Sequence, residues 1–512
     1  MARISIASGS QISADAGARV ADMGGNAVDA ALAATLVSMC TDLGVMAPGA
    51  SGFISIWDPE HDPVVIDAYA EMPGRRLEQE RFGQEMHETF FDYGGSDVIR
   101  TIVGYGTIAT PGIFAGLGMA NQRYGNLPWA NVVAPVLQWT EQGFPLLGGA
   151  ADYLLHTHQA IFSWHPETYQ AFHHADGSPL QEGEIVHIPH LAHSLRLIAE
   201  SGVKTLYTGE LAQQIVSHIQ EHGGLLTAAD LAAYQAIERS PIPINCDDWE
   251  IVTNPPPAVG GVCLAAMLLL LNDKSLQVWD TATVQKVSQI QQAVLGYRQQ
   301  HCHGENNSGA EAAQLLSLAK QGDLQALITS PSTIHVSAVD SNGLACSVTA
   351  SAGYGSGVMV PGTGLCFNNS LGEMELHPQG LHSLSPGTRL TSNMAPTIAR
   401  HQDGTVLAIG SPGASRITTA IAQVLLNFIH LGMSLEEAIA HPRLHYEVLA
   451  QQPTMVGESG LPMEEIKGFV TFQFPELSMY FGGVQASLWH PSLGLSAAAD
   501  PRRAGGVAYG GM

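Results

Sequence analysis

An alternating run, Thr333-Ile-His-Val-Ser-Ala-Val339, begins where a polar stretch stops, and this junction constrains the fold more than any other part of the chain. Its two-residue period is that of a strand, and Leu344-Ala-Cys-Ser-Val-Thr349 repeats the pattern after Asp340-Ser-Asn-Gly343. The two runs predict a hairpin with Asn342-Gly343 at the turn and a strand that starts at Thr333. The preceding residues, 301–331, pass through His303-Gly-Glu-Asn-Asn-Ser-Gly309, a modestly amphipathic helix and Ser330-Pro-Ser332. They read as an exposed connection in which a cut is tolerated.

Around this junction the chain has the means to build a large core: 45% of its 512 residues are hydrophobic and only 13% charged. Asp and Glu outnumber Lys and Arg by 46 to 21, with no basic run, so nucleic acid and anionic membrane surfaces are excluded as partners. The longest apolar run, Val262 to Leu271, is too short to span a bilayer, and Met1 to Ser8 lacks the apolar core of a secretory signal. A cytoplasmic location is the expectation. Cys40, Cys246, Cys263, Cys302, Cys346 and Cys366 are widely spaced with no C-x-x-C pair, and are expected to be reduced.

Residues 13–40 predict a helix pair broken at Gly24-Gly25 and capped by Asn26. Strands are expected at Gly52–Trp57, Pro63–Ala68, Trp249–Thr253 and Thr405–Ile409. Helices are expected at Leu191–Glu200, at Glu210–Glu221, after the capping sequence Thr227-Ala-Ala-Asp230, and from Val262 onward. The strand ending at Ile409 runs into Gly410-Ser-Pro-Gly-Ala-Ser415 and then a helix from Arg416 to about Leu431, stopped by Gly432.

Two of these features bear on chemistry. Glycines ahead of a helix N-terminus leave backbone N–H groups free to hold an anion or a developing oxyanion, although the loop by itself reads more readily as an ordinary turn. A threonine freed as a chain N-terminus carries a hydroxyl and an α-amine, nucleophile and general base on one residue. The G-x-S-x-G, H-E-x-x-H, Walker and dinucleotide patterns are absent, and His301-Cys302-His303 has no partner cluster at zinc spacing. No metal or cofactor motif is read from the residues themselves.

Many stretches in collinear order then resemble the gamma-glutamyltransferase family: Gly24–Ala31, Ala109–Leu117, Arg123–Trp129, Gly223–Tyr234, Pro255–Gly261, Thr333–Asp340, Gly355–Gly364, Asn368-Asn369, Met394–Thr397, Gly410–Ile417 and Asp500–Arg503. The resemblance implies the four-layer αββα sandwich of N-terminal-nucleophile hydrolases, made as a precursor that cuts itself between Ser332 and Thr333 and needs neither metal nor cofactor. The parts 1–332 and 333–512 would form one domain as large and small subunits that stay together, with the linker near 301–332. It implies Thr333 as nucleophile, Ser351 as a hydroxyl supporting it, and Gly413 and Ala414 as the oxyanion-holding amides. Donor-binding roles fall on Asn369, Ser370, Glu373, Ser392 and Asn393, with Arg75 and Arg76 in the segment that takes the donor's carboxylate.

This sequence departs from the family pattern where the donor is held. Ile334 replaces a second threonine, Ser370 a glutamine and Glu373 an aspartate; Ser351–Tyr354 is short and lacks an asparagine; Met72-Pro-Gly-Arg-Arg76 matches the arginine segment poorly. The expected activity is transfer of an acyl group from a small gamma-glutamyl-type amide, through an ester on Thr333, to water or an amine. The alternatives are an acylase of the cephalosporin or glutaryl kind and a non-catalytic relative.

Overall fold

The computed structural model describes residues 2–92, 98–301, 309–321, 333–377, 379–449 and 451–511. At its centre two sheets lie face to face. The first has seven strands in the order Gly506–Gly510, Ile4–Ser8, Ile334–Asp340, Ala345–Ser351, Ser51–Trp57, Val64–Ala68 and Ile237–Arg239. The second has six, in the order Gly494–Ala499, Gln485–His490, Val406–Gly410, Thr397–His401, Trp249–Thr253 and Ile242–Cys246. All neighbours in both sheets are antiparallel.

The expected hairpin is present, with Ile334 opposite Ala350 and Val339 opposite Ala345. Gly343 takes the φ of 86° that its turn needs. The period of two assigns the faces: Val336 and Ala338 join the helix-side core, whereas Ser337 and Val339 face the second sheet. Between the sheets many residues are small and polar. Ser5 Oγ meets Ser487 Oγ at 2.7 Å, Ser347 donates to the Ile409 carbonyl at 3.1 Å, and Ser55 to that of Pro396 at 3.0 Å. Hydroxyls of one sheet thus pair with groups of the other, so the polar contacts cost little when buried.

Helices cover both outer faces and complete the αββα sandwich: Gln11–Asp22 and Ala27–Thr41 on the first sheet, Val259–Leu271, Thr281–His301 and Arg416–Leu425 on the second. The Ala27–Thr41 helix is buried along its whole length because Ala30, Ala31, Ala33 and Ala34 let its neighbours close on it. Asn26 and Asp29 form its capping box, and Thr227 and Asp230 form another, as expected.

Some boundaries differ from the expectations. The helix expected from Val262 begins at Val259, since Gly260 and Gly261 have no side chain to strike the backbone: a Cβ there would lie 2.0 Å from the Asn393 carbonyl oxygen and 1.9 Å from that of Asn254. The helix from Arg416 changes to a wider π turn over Leu426–His430 before Gly432. Cys40, Cys246, Cys263 and Cys346 are buried and unbridged, and Cys366 is half-buried and unbridged; Cys302 lies outside the described residues.

Of the connection expected at 301–332, a helix over Gly309–Gln321 is described. Ser332, and with it the expected cut, lies outside the described residues, as does His303. Strands from before and after that junction interleave in both sheets. No described helix is long and apolar enough to cross a membrane, and no metal-holding cluster occurs among the described residues.

Candidate active site

Thr333 stands one residue ahead of the central Ile334–Asp340 strand, and the ladder extended by that residue sets it opposite Ser351. It is 3% exposed and borders a cavity of about 810 Å³. Chain leaving the two neighbouring strands forms the cavity's flanks. Beyond Ile4–Ser8 come Gly9, Ser10 and Gln11, with Asp42 and Arg503 beside them; beyond Ala345–Ser351 comes Tyr354, with Glu375. A three-stranded sheet, Leu444–Leu449, Gln452–Glu458 and Val470–Phe474, supplies Glu447, Val456, Phe472 and Phe474 to one wall, and Tyr480 extends it.

The glycine turn sits where the sequence suggested. Gly410 has no side chain because the His335 ring occupies the space: a Cβ there would fall 2.2 Å from a ring carbon. That contact fixes the start of the turn against the Thr333 strand. Further along, Gly413 and Ala414 both have positive φ, 114° and 57°, and among the described residues their amides donate to no protein acceptor. The helix begins at Arg416, and Pro412 and Arg416 line the cavity on either side of these two amides. Consecutive unpaired N–H groups at a helix N-terminus are an anion site in the making.

His335 is fully enclosed, with Nδ1 2.8 Å from Thr349 Oγ1 and Nε2 2.8 Å from Ser337 Oγ. Burial holds its pKa down to about 3, so the ring is neutral in the fold. In the unfolded chain it gains a proton at about pH 6.5. Its contribution is therefore intact above that pH and is lost as pH falls toward the folded pKa, at about 1.4 kcal/mol per pH unit. Chemical denaturation between pH 7 and 4 should show this slope reduced in His335→Gln; an unchanged slope would mean that other groups carry it.

The residues expected to hold the donor are not gathered at this cavity: Asn369, Ser370, Glu373, Ser392, Asn393, Arg75 and Arg76 all fall outside its lining. The Asn369 side chain is committed to backbone, accepting from Tyr354 N at 2.7 Å and donating to the Ile102 carbonyl at 3.0 Å. The Ser370 amide donates to Asn368 Oδ1 and its carbonyl is met by His377 Nε2. Ser392 uses its carbonyl to receive the Val259 and Gly260 amides, and its hydroxyl pairs with buried Tyr69. Asn393 is 7% exposed. Burial, with Glu375 adding to it, pushes the Glu373 carboxyl well above the usual carboxylate range. Arg75 is paired with Glu71 at 3.2 Å and Asp230 at 3.4 Å, and Arg76 is exposed. Tyr69, 3% exposed and stacked on Phe53, packs beside Ser392 and Glu373.

Sequence reasoning missed the residues that do line the cavity. Asp42 had a signal, an acid at the end of the apolar run Leu36-Val-Ser-Met-Cys-Thr41. Arg503 closed a matched motif without attracting a role. It is set in place by its neighbour: Arg502 is enclosed, donating from Nε to Glu458 Oε1 at 2.7 Å and pairing with Asp500 at 3.2 Å.

Comparisons with known proteins agree with this architecture. A family model described as gamma-glutamyltranspeptidase matches residues 13–510. The chain is 29% identical to the glutathione hydrolase proenzyme of Escherichia coli (strain K12), over 94% of this chain and 87% of that one. It is 30% identical to the Acylase ACY 1 proenzyme of Pseudomonas sp. (strain SE83), over 84% and 80%. Among solved structures, the cephalosporin acylase of Bacillus halodurans has the same fold, with a TM-score of 0.83 over 99% of this chain and 96% of that one at 23% identity.

Proposed function

The chain belongs to the gamma-glutamyltranspeptidase family, and on that premise we propose that it is a self-processing threonine amidohydrolase and acyltransferase with Thr333 as its nucleophile. The observation that carries the proposal is that Thr333 lines the same cavity as Pro412 and Arg416, the residues that bracket the two unpaired amides of Gly413 and Ala414, both at positive φ.

In the precursor the Thr333 hydroxyl attacks the Ser332 carbonyl carbon, the peptide bond shifts from nitrogen to oxygen, and water hydrolyses the resulting ester. Fragments 1–332 and 333–512 result, and Thr333 gains a free α-amine. In turnover that neutral amine takes the hydroxyl proton as Oγ attacks the amide carbon of a donor. The Gly413 and Ala414 amides hold the oxyanion, and the proton passes to the leaving amine. Water or a second amine then takes the acyl group from Oγ. Ser351 opposite Thr333 positions the hydroxyl.

The donor we propose is an acylase-type amide with a sizeable apolar part against Phe472, Phe474 and Tyr480, rather than a free gamma-glutamyl compound such as glutathione. A gamma-glutamyl head needs a carboxylate for its ammonium and a free guanidinium for its carboxylate. Here burial disfavours the charged form of Glu373, Arg75 is already paired, and the neighbouring Tyr69 is itself buried. A charge-assisted hydrogen bond contributes roughly 1.5 to 3 kcal/mol, so missing two should weaken capture by about a hundredfold or more. The check is kcat/KM for a gamma-glutamyl anilide against glutaryl and other acyl anilides. A gamma-glutamyl value above all the rest would overturn the donor assignment while leaving the nucleophile standing.

A further inference from the structure

We propose that His335 is a positioning residue for the reaction: its ring, clamped between the Thr333 strand and the start of the 410–415 turn, sets the distance from the nucleophile to the oxyanion-holding amides. This rests on Thr333 being the nucleophile and on the Gly413 and Ala414 amides holding the oxyanion.

The two working parts belong to different sheets. Thr333 precedes Ile334–Asp340 of the first, and the turn follows Val406–Gly410 of the second. Their mutual placement matters, since a shift of about 1 Å can cost about a hundredfold in rate. At the hairpin end, Trp57 and Val339 of the first sheet pack with Val252, Ile398 and Val406 of the second, which fixes the offset there. At the reactive end the facing groups are the hydroxyls of Ser337, Ser347 and Thr349, and the His335 ring is the bulky group among them.

The ring joins two facing pairs. His335 lies directly opposite Thr349 in the first sheet, and Gly410 directly opposite Gln485 in the second. Ser337 gives its one hydroxyl hydrogen to the Gln485 carbonyl at 3.2 Å, so it accepts from His335 Nε2–H. Nδ1 is then the acceptor for the Thr349 hydroxyl, an arrangement that requires the neutral ring that burial enforces. Gly410 closes a further side: a Cβ there would fall 2.2 Å from Cε1, 2.5 Å from Nδ1 and 2.8 Å from Nε2. A second route reaches the turn from Gln485. Its Nε2 donates to the Gly483 carbonyl at 3.3 Å, and the Gly483 amide donates to Ser411 Oγ at 3.1 Å. The ring thus bears on the turn directly at Gly410 and through Ser337 and Gln485 at Ser411. It stands two residues from Thr333 on the same strand face, and Gly410 stands three residues before Gly413.

The test is kcat and KM of the processed enzyme with the best anilide donor of the panel, in a cycle of His335→Ala, Gly410→Ala and the double variant. His335→Ala removes the spacer and should lower kcat about tenfold to a hundredfold with KM within about threefold of wild type. Gly410→Ala drives a methyl into the ring and should do the same. In the double variant the methyl takes up part of the vacated space, so kcat should be no lower than in the slower single variant, whereas independent effects would multiply. His335→Gln keeps a donor for Ser337 and should retain more of kcat than His335→Ala; it carries the test if His335→Ala does not fold. Ser5→Ala removes the contact with Ser487 between the same sheets, away from the turn, and should lower Tm and leave kcat unchanged. Wild-type kcat in the His335 variants, a loss confined to KM, multiplied effects in the double variant, or an equal fall of kcat in Ser5→Ala would each overturn the proposal. Near-normal kcat in Gly413→Val would instead refute the oxyanion turn, and loss of all anilide turnover in wild type the Thr333 reading.

Discussion

Thr333→Ala should be recovered as a single 512-residue chain with no measurable turnover, whereas the parent chain yields fragments 1–332 and 333–512. One change removes both the group that cuts the precursor and the nucleophile of the mature enzyme. Deleting a nucleophile of this kind costs on the order of 10⁶ in kcat. The fold should survive, because the strand begins at Ile334 and the deleted atoms are a hydroxyl and a methyl at its mouth. Ile334→Ala should still be cut, since Ile334 points to the helix-side core rather than to the scissile carbonyl. Intact mass and an anilide assay read both variants. Efficient cutting of Thr333→Ala would remove the foundation of the proposed function.

Gly413→Val should give a properly folded enzyme with activity lowered about a hundredfold or more. At a φ of 114° a β-branched residue is strained, and the added Cβ would lie 2.7 Å from the Gly482 Cα, a backbone atom with little room to yield. The turn must then reopen, and the adjacent Ala414 amide moves with it. Loss of one oxyanion donor typically costs about 2.7 to 4 kcal/mol in the transition state, felt in kcat more than in KM. Ala414→Gly should by contrast be mild, because the φ of 57° already suits glycine. Near-normal kcat in Gly413→Val with an unchanged Tm would place the oxyanion elsewhere.

The elements legible in the sequence are those fixed by neighbours a few residues away. Asn26 and Thr227 announce their helices because the cap and its partner are three residues apart. The hairpin at Asn342-Gly343 is set by its own turn. The Ile4–Ser8 strand was not legible, since its partners, Ile334–Asp340 and Gly506–Gly510, lie hundreds of residues away. The candidate site divides along the same line. Thr333 and Gly410–Ser415 carry local signatures of their chemistry, whereas Asp42 and Arg503 become neighbours only when the Ala27–Thr41 helix and the 500–503 turn pack around the same cavity. The donor residues show the converse. Glu373 and Ser392 fall at donor-binding positions in the sequence, yet in the fold both stand beside buried Tyr69, some 300 residues earlier in the chain, a neighbour no local pattern reveals.

The interleaving of strands has a kinetic consequence. Ile334–Asp340 pairs on one side with Ile4–Ser8, Ala345–Ser351 with Ser51–Trp57, and Thr397–His401 with Trp249–Thr253, so a fragment beginning at Thr333 would carry open strand edges in both sheets on its own. Before the cut, unfolding and refolding are unimolecular, and the rate of recovery is independent of concentration. After it, recovery becomes a second-order encounter between two incomplete sheets whose yield falls on dilution. Processing therefore turns a reversible folder into a molecule whose persistence is set by how slowly it opens, and dilute enzyme that has once unfolded should stay inactive while the uncut precursor regains its fold.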